Sequence, residues 1–302
     1  MRVRLKSKNL RAIAQSYKCC YLQAKVRAIK SFTLAKDDFK SLMNSPNIKD
    51  ALAFLMQYAY YSDIAEKSSN AEDFERNAIT KDALLFKALA RMAPFNLARI
   101  FELKASRLLL SVVEPEVELL LKENDFENML KKAPDEQARA ALENAIKEYE
   151  KTGKIFIFRK SLEQYFYENV LRFANKDVAS FVSKEIDYYN VMSCLKAKNA
   201  GIENPIDLVI PLGTMKPDDI ISCVEAGRLD GLDINAENVE VEFEKRLLLR
   251  TYKAFHYAYP RLQLVVYSFI LLKEFETKNI ARILAGIQQG LGTEDLLEVV
   301  AL

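Results

Sequence analysis

Few side chains in this protein could carry out chemistry by themselves. The 302 residues include one histidine, His256, and four cysteines, Cys19, Cys20, Cys194 and Cys223. A single histidine excludes a multi-histidine metal site or a two-histidine proton relay, and no Cys-x-x-Cys spacing is present for a zinc ribbon. The phosphate-binding G-x-x-x-x-G-K-[ST] motif and the G-x-S-x-G nucleophile motif are also missing. The sequence therefore predicts no catalytic residue, no metal and no cofactor.

The carboxylates of most interest occur in two related segments. Residues 185–201 align with residues 274–290 at a constant offset of 89. The matched pairs are Glu185/Glu274, Asp187/Glu276, Asn190/Asn279, Val191/Ile280, Leu195/Leu284 and Gly201/Gly290. We interpret each segment as a helix that starts at the acids and stops at glycine, which is the preferred residue after a helix end.

On a helical wheel, Asp187 and Glu276 fall on the apolar face of their segments, with Asn190 and Asn279 three residues further on. A carboxylate on a face that points into the core needs a partner, because burying it alone is costly. Three readings follow: a structural acid at a seam between modules, an acid lining a central opening that receives another subunit, or a catalytic or ion-carrying acid. The first is the one we favour.

The elements that position these residues are predicted to be long helices. Only 8 glycines and 8 prolines interrupt the chain, 50% of the residues are hydrophobic and 28% are charged. This composition excludes a disordered or collagen-like chain and disfavours a turn-rich β-sandwich. Helices are expected to begin after 45–47 and to cover 138–149, with breaks at 204–217, 227–231 and 256–260. Leu162 and Phe243 are expected to open two further helices.

The charge is distributed unevenly along the chain. Residues 1–36 contain ten lysines and arginines and no acid. This stretch is either an acid-free transit segment or the basic start of the mature chain, suited to anionic lipid or an acidic partner. We favour the second and single out its basic residues Arg2, Arg4, Lys6, Lys8 and Arg11. No apolar run approaches the roughly 20 residues that span a bilayer, and the aromatic segment 165–167 lacks the interleaved basic residues of a nucleic-acid surface.

Several runs of the sequence resemble one known family. Residues 264–291 are similar to the last helix pair of the C-subunit family of A/V-type rotary ATPases (ATP synthases), whose eukaryotic relative is the d-type subunit of the V-ATPase. Residues 148–168, 185–201 and 211–213 resemble the central block of that family, and residues 21–29 resemble its first helix. The similarity covers most of the chain in the order of the family.

The resemblance implies an all-α funnel of three similar helical modules around a pseudo-threefold axis, approximately 1–36 with 243–302, 37–150, and 151–242. It implies a non-catalytic central-stalk subunit of a proton- or sodium-translocating ATPase, on the cytoplasmic face of the membrane. The implied partners are the D- and F-type shaft subunits and the membrane proteolipid ring, without nucleic acid. Asp187, Asn190, Glu276 and Asn279 become candidates for a shaft socket or an inter-module seam, and the five basic residues for the ring- or membrane-proximal side.

One segment departs from the family pattern. Residues 102–132 lack the acid-x-x-Asn helix with a glycine stop that the first inner module usually carries. The alternative to a rotor subunit is an all-helical repeat scaffold or adaptor unrelated to rotary ATPases. Solenoid scaffolds, however, repeat every 20–50 residues, which is shorter than the offset of 89 observed between the two segments.

Overall fold

A computed structural model describes residues 7–30, 34–202, 204–229, 232–233, 239–258 and 261–301, with side chains at residue 18 and from residue 20 onward, apart from 229 and 232–233. These residues are overwhelmingly helical. The one extended pairing among them joins Arg228–Leu229 (β1) to Leu232–Asp233 (β2) in antiparallel fashion. The expected all-α fold is therefore confirmed. The chain forms two compact units, which we name the first unit (residues 1–105 and 250–293) and the second unit (residues 106–249 and 294–302).

The described part of the chain contains fourteen α-helices and one short 3-10 helix. In chain order the α-helices are α1 Ser7–Lys30, α2 Lys36–Met43, α3 Ile48–Leu55, α4 Ser62–Glu66, α5 Ala71–Ala90, α6 Phe95–Lys122, α7 Phe126–Lys131, α8 Glu136–Thr152, α9 Ile155–Phe173, α10 Lys176–Asn199, α11 Pro217–Ala226, α12 Val239–Tyr257, α13 Leu262–Gln289 and α14 Thr293–Val299. The 3-10 helix Pro205–Leu208 lies between α10 and α11.

Local capping signals explain several helix boundaries. The side chain of Asn47 accepts a hydrogen bond from the Asp50 amide at 3.0 Å and starts α3, as the segment 45–47 predicted. The helix predicted over 138–149 extends in both directions, from the capping Asp135 to Gly153, whose φ is 65°. The predicted breaks at 227–231 and 256–260 coincide with the ends of α11 and α12.

The prediction that the acids start their helices is wrong. Asp187 and Glu276 lie in the middle of α10 and α13. The side chain of Asn175 caps α10 well upstream by accepting from the Val178 amide at 3.0 Å. The start of α13 is buried on every face, so it carries no amphipathic period that would mark it in the sequence. Leu162 and Phe243 likewise lie inside α9 and α12 instead of opening them.

The core of the first unit is built around α13. The side chains of Val265, Tyr267, Phe269 and Ile270 are fully buried, and α1, α2, α3 and α5 pack against this helix. Each Å² of apolar surface that this helix buries against its neighbours stabilises the folded state by about 25 cal/mol. The helix that carries Glu276 is therefore the central support of its unit.

The helices of the second unit pack against one another in chain order. The helix α8 packs against α9, α9 against α10, and α10 against α11 and the 3-10 helix. A buried cluster joins α10, α11 and the start of α12 through Val191, Leu195, Ile220, Val224 and Phe243. Cys194 belongs to the same cluster, and Cys223 packs against it, so both serve as small apolar residues there.

Three long helices end in the same way. The amide of Gly201 donates to the Lys198 carbonyl at 3.0 Å, and the next amide, of Ile202, reaches back to the Ala197 carbonyl at 2.9 Å. The same two hydrogen bonds recur at Gly290 and Leu291 after α13, which confirms the predicted glycine stops. They also recur after α6, where Asn124 takes the left-handed conformation with φ 57° in place of glycine.

This shared ending aligns α6 with α10 and α13 residue by residue. Asp187 and Asn190 of α10 precede Gly201 by fixed distances. At the same distances before Asn124, α6 has Leu110 and Val113. Leu110 is buried. The segment 102–132 therefore keeps the helix end of the other two copies but replaces their acid and asparagine with apolar residues.

Candidate functional site

Asp187 holds a connecting segment against α10. Its carboxylate is 4% exposed and accepts hydrogen bonds from the Thr214 amide at 2.7 Å, the Met215 amide at 3.0 Å and the Thr214 hydroxyl. These bonds compensate for the loss of water around a buried charge, because hydrogen bonds to an ionised acceptor are about twice as strong as neutral ones. The carboxylate fixes the chain just before α11 begins at Pro217.

Asn190 holds the same segment one turn further along α10. Its side-chain amide donates to the Ile210 carbonyl at 3.0 Å, and its side-chain oxygen accepts from the Ile210 amide at 2.8 Å. A primary amide satisfies both backbone groups of one residue at once, which explains why asparagine follows the acid at this spacing. We call Asp187, Asn190 and residues 210–215 the Asp187 clamp.

Gly213 completes the clamp because no side chain fits there. A Cβ atom at this position would lie 2.2 Å from Oδ1 and 3.2 Å from Cγ of Asp187. The glycine within the motif Pro211-Leu212-Gly213 is therefore required for the backbone to approach the carboxylate closely.

Glu276 has the equivalent role in the first unit. It is 4% exposed, and its Oε1 accepts from the Leu34 amide at 2.6 Å, just before α2. The short helices that follow also correspond. Asp37 and Asp38 open α2 as Asp218 and Asp219 open α11, and a serine one turn later donates to the carbonyl of the first acid in each, Ser41 at 3.0 Å and Ser222 at 2.8 Å.

The copy that contains Glu276 therefore joins two segments that lie 242 residues apart in the sequence. The helix α13 supplies the acid, and the segment before α2, near the other end of the sequence, supplies the amide. Asn279 is buried beside Glu276 on α13, in the position that Asn190 has on α10. The residues 31–33, which precede Leu34, lie outside the described part of the chain.

The first unit adds a buried ionic cluster that sequence reasoning missed. Lys273 is fully buried, and its ammonium donates to Oε2 of Glu276 at 2.9 Å and to the Tyr61 hydroxyl at 2.9 Å. It lies 3.7 Å from Oδ1 of Asp82 and 3.9 Å from the ring centroid of Tyr60. We call Tyr60, Tyr61, Asp82, Lys273 and Glu276 the Lys273 cluster.

Asp82 has further partners in the Lys273 cluster. It accepts hydrogen bonds from the Tyr60 hydroxyl at 2.5 Å and the Thr277 hydroxyl at 2.7 Å. Burial raises the pKa of Asp82, and the negative charge of Glu276 adds to this, although Lys273 and the two hydroxyls oppose it. Burial also raises the pKa values of Tyr60 and Tyr61 strongly, with the nearby carboxylates contributing. Both tyrosines are therefore neutral hydrogen-bond groups at physiological pH.

One sequence signal could have identified part of this cluster. Lys273 precedes Glu276 by three residues, so both lie on the same face of a helix whose preceding run 262–272 carries no charge. A cation on such a face predicts a buried ion pair. Asp82 and the two tyrosines carry no comparable signal, because they are far from α13 in the sequence.

The candidate residues named from the sequence fall into two groups. Asp187 with Asn190 and Glu276 with Asn279 are buried in the second and the first unit, respectively. Among the basic candidates, Arg2, Arg4 and Lys6 lie outside the described residues, and Lys8 and Arg11 lie in α1 without described side chains. The roles of all nine residues in a socket, a seam or a membrane-proximal surface stay predictions.

The observed chemistry is that of anchoring. The carboxylates of Asp187 and Glu276 accept backbone amides and are almost fully withdrawn from solvent. Within the described residues, no group of three or more histidine, cysteine, aspartate or glutamate side chains could hold a metal ion. None of the described helices is both long and apolar enough to cross a membrane.

Comparisons with known proteins agree with the resemblance read from the sequence. The chain matches the family model of the ATP synthase (C/AC39) subunit over residues 22–108 and 104–299. It is 24% identical to the C-type subunit of the A-type ATP synthase of Pyrococcus abyssi, with 93% of this chain and 89% of that protein aligned. It is 28% identical to the same subunit of the A-type ATP synthase of Haloferax volcanii over 49% of this chain and 50% of that protein. The chain thus belongs to the ATP synthase (C/AC39) subunit family.

Proposed function

We propose that this chain is the central-stalk subunit that couples the rotating shaft of an A/V-type ATPase to its membrane proteolipid ring. The observation that carries the proposal is that three long helices, α6, α10 and α13, end in the same hydrogen-bonded cap in a member of an ATP synthase subunit family. Three such copies support a funnel of three modules around a pseudo-threefold axis, approximately 1–36 with 243–302, 37–150, and 151–242.

A coupling protein of this kind has a mechanical role instead of a catalytic one. It must transmit torque between two partners without deforming, so its connecting segments have to be fixed to its helices. The Asp187 clamp and the bond from the Leu34 amide to Glu276 provide such fixed points in the two units. Charge-assisted hydrogen bonds that are buried from water resist shear better than solvated ones, because no water molecule is available to replace either partner.

The partners follow from the same proposal. The D- and F-type shaft subunits would enter the funnel, and the proteolipid ring would carry it on the cytoplasmic side of the membrane. The four residues Asp187, Asn190, Glu276 and Asn279 would then support the socket from within its walls. The basic residues of segment 1–11 would face the ring or the anionic lipid around it, where positive charge is favoured.

Co-purification with each partner separately tests this proposal. The tagged full-length chain is expressed with the D- and F-type subunits of its own organism in one experiment, and with the detergent-solubilised proteolipid ring in another. We expect both to be retained, and all to elute as one complex when they are combined. A tagged helical protein of similar size and charge is the control for non-specific retention.

Two outcomes would overturn the proposal. Retention of neither partner would show that this member of the family does not couple a shaft to a ring. Retention of the shaft alone, with no ring under any detergent or salt condition, would make the chain a shaft accessory and not a coupler.

A further inference from the structure

A basic residue occupies the same place in all three helices that share the hydrogen-bonded end. Each stands 17 positions before the left-handed residue of its cap: Arg107 before Asn124 in α6, Lys184 before Gly201 in α10, and Lys273 before Gly290 in α13. In α10 and α13 a carboxylate follows three positions after the cation, whereas α6 has Leu110 there. The repeated helix therefore has a basic position that is present even where the acid is missing.

In α13 this cation joins two helices. Lys273 lies 2.9 Å from the carboxylate of Glu276 on its own helix and 3.7 Å from the carboxylate of Asp82 on α5. In α10 the equivalent residue, Lys184, is exposed, and the hydrogen bonds of Asp187 come from Thr214 and Met215. The second copy thus has the carboxylate anchor without a buried cation beside it.

Arg107 repeats the arrangement of Lys273 in α6. Its Nε donates to Oε1 of Glu163 on α9 at 2.9 Å, and its Nη2 donates to the same oxygen. Its Nη1 lies 3.5 Å from Oε2 of Glu114 on α6 itself. The three side chains are only 20–26% exposed. Burial alone would lower the pKa of Arg107, but the two carboxylates raise it above its ordinary value, so the guanidinium remains charged.

Two further hydrogen bonds join α6 to the same neighbours. Ser106, which is buried, donates to Oδ2 of Asp135 at 2.9 Å, and Asp135 is the residue that caps α8. Further along, the carboxylate of Glu118 on α6 accepts from Nε of Arg159 on α9 at 2.6 Å. Because α8 and α9 pack against each other, these bonds hold α6 to a pair of helices that is itself well packed.

We propose that Arg107 is the positioning residue of the copy that contains α6, fixing this helix to α9 where the other two copies use a carboxylate. The planar guanidinium suits this role, because its fork of donors can bind two carboxylates at once in a defined geometry. The repeated helix would then have two means of attachment, a carboxylate that holds a connecting segment and a cation that holds another helix. The helix α13 has both, α10 has the carboxylate, and α6 has the cation. This inference does not depend on the coupling role proposed above.

Hydrogen exchange of the full-length chain tests the inference. Arg107→Met keeps the apolar part of the side chain but removes its donors. We expect it to accelerate exchange of the amides of α6 near position 107 and of α9 near position 163 at least about tenfold, because a partly buried charge loses its partner. The amides of α13 should keep their rates. Arg107→Lys should retain most of the protection, since a lysine has the equivalent place in α13.

A matched variant controls for the loss of one positive charge. Arg139→Met removes an exposed Arg–Glu pair within α8, in which Nε of Arg139 lies 3.2 Å from Glu143, and it should change exchange rates by no more than about twofold. Glu163→Gln should accelerate the same amides of α6 and α9, but it should add little to Arg107→Met, because the two residues act as one pair. Circular dichroism checks that each variant is folded, and Glu163→Gln alone is used if Arg107→Met is not.

Three results would overturn the inference. The first is unchanged exchange in α6 and α9 in the Arg107 and Glu163 variants. The second is acceleration of the same size in α13, which would indicate a general loss of stability instead of a local attachment. The third is exchange in Arg107→Lys as fast as in Arg107→Met, which would show that a cation at this position is not sufficient to hold α9.

Discussion

Gly213 faces the carboxylate of Asp187 and tolerates no larger side chain in this arrangement. The backbone at Gly213 passes so close to Asp187 that a methyl group would overlap Oδ1 at 2.2 Å. The carboxylate cannot withdraw without giving up its bonds to the Thr214 and Met215 amides. The two residues are therefore coupled, and neither can be changed independently of the other.

Replacing Gly213 with alanine is expected to destabilise the protein by about 1–3 kcal/mol, which is typical of an overpacked site. Asp187→Ala alone also destabilises, because it leaves buried amides without acceptors. The double variant should be more stable than the sum of the two effects predicts, by about 1 kcal/mol or more, because the shortened side chain makes room for the methyl group. Urea unfolding of the four proteins measures this coupling. Strictly additive effects would show that the clash with Asp187 does not determine the residue at position 213.

A second residue-scale feature is the excess of negative charge around Lys273. The single buried ammonium of Lys273 forms ion pairs with two buried carboxylates, at 2.9 Å from Glu276 and 3.7 Å from Asp82. Burial raises the pKa of Asp82 above its ordinary value. The native state therefore retains a proton on Asp82 at pH values where the unfolded chain has lost it. As the pH rises from about 4 through this window, the native state loses stability relative to the unfolded chain.

Asp82→Asn should remove this pH dependence while keeping the shape of the cluster. The amide oxygen can accept from Tyr60, and the amide nitrogen can donate to the Thr277 hydroxyl. We expect the stability of the variant relative to the unmodified protein to increase as the pH is raised from 4 to 8. For each unit by which the pKa of Asp82 is raised in the native state, the variant should gain about 1.4 kcal/mol in unfolding free energy relative to the unmodified protein over this pH range. Urea unfolding at several pH values measures the difference, and a difference that is constant or decreases with pH would contradict the assignment.

At the scale of elements, the same structural unit occurs twice with different connectivity. In the second unit, α10 is followed directly by the segment that Asp187 binds and then by α11. In the first unit, α13 lies near one end of the chain, and the segment that Glu276 binds, with α2, lies near the other. The two assemblies match in acid, in bound amide and in the acidic start of the short helix. A joint between a long and a short helix is thus preserved although the chain does not connect the two helices in the same order.

Hydrogen exchange should reveal these joints directly. The amides of Leu34, Thr214 and Met215 belong to no helix or strand but donate to buried carboxylates. They should exchange slowly in the unmodified protein. Asp187→Ala should accelerate Thr214 and Met215 at least about tenfold, the equivalent of about 1.4 kcal/mol, and leave Leu34 protected. Glu276→Ala should do the reverse. Fast exchange in the unmodified protein, or equal acceleration at all three amides by either variant, would contradict the assignment of two local joints.

The sequence predicted those features of the elements that depend on nearby residues. Glycine after a helix and an asparagine before one act within a single turn, so the stops at Gly201 and Gly290 and the cap at Asn47 could be read directly. The start of α13 could not, because burial on every face removes the periodicity that marks a helix boundary. The start of α10 at the capping Asn175 was missed although its signal is local. Asp82 of the Lys273 cluster was also beyond reach, since the hydrogen bond that it accepts from Thr277 joins residues 195 positions apart.

At the scale of the whole molecule, the segment 102–132 is the informative exception. It shares the capped helix end but has Leu110 and Val113 where the other copies have an acid and an asparagine. An apolar pair cannot bind a loop backbone, so this copy relies on packing where the other two use hydrogen bonds. The proposed funnel would accordingly have two walls with anchored connecting segments and a third wall without this anchor.

The basic segment 1–11 leads to a prediction about how the chain is oriented on a rotary ATPase. The segment 1–11 carries Arg2, Arg4, Lys6, Lys8 and Arg11 and no acid. If this segment faces the ring or the lipid around it, deleting it should weaken retention of the proteolipid ring and leave retention of the shaft subunits unchanged. Changing the same five residues to glutamine keeps the length of the chain, and it should weaken ring retention to a similar extent.

The comparison of these two variants separates charge from length. Ring retention that is lost on deletion but kept in the glutamine variant would show that the backbone of the segment, and not its charge, makes the contact. Ring retention that is unchanged in both variants would exclude the proposed placement. If charge makes the contact, ring retention by the unmodified chain should also fall as salt is added, because exposed charges are screened beyond a Debye length of about 10 Å at 0.1 M salt. Shaft retention serves as the internal reference throughout, since the proposal places segment 1–11 against the ring or its lipid and not against the shaft.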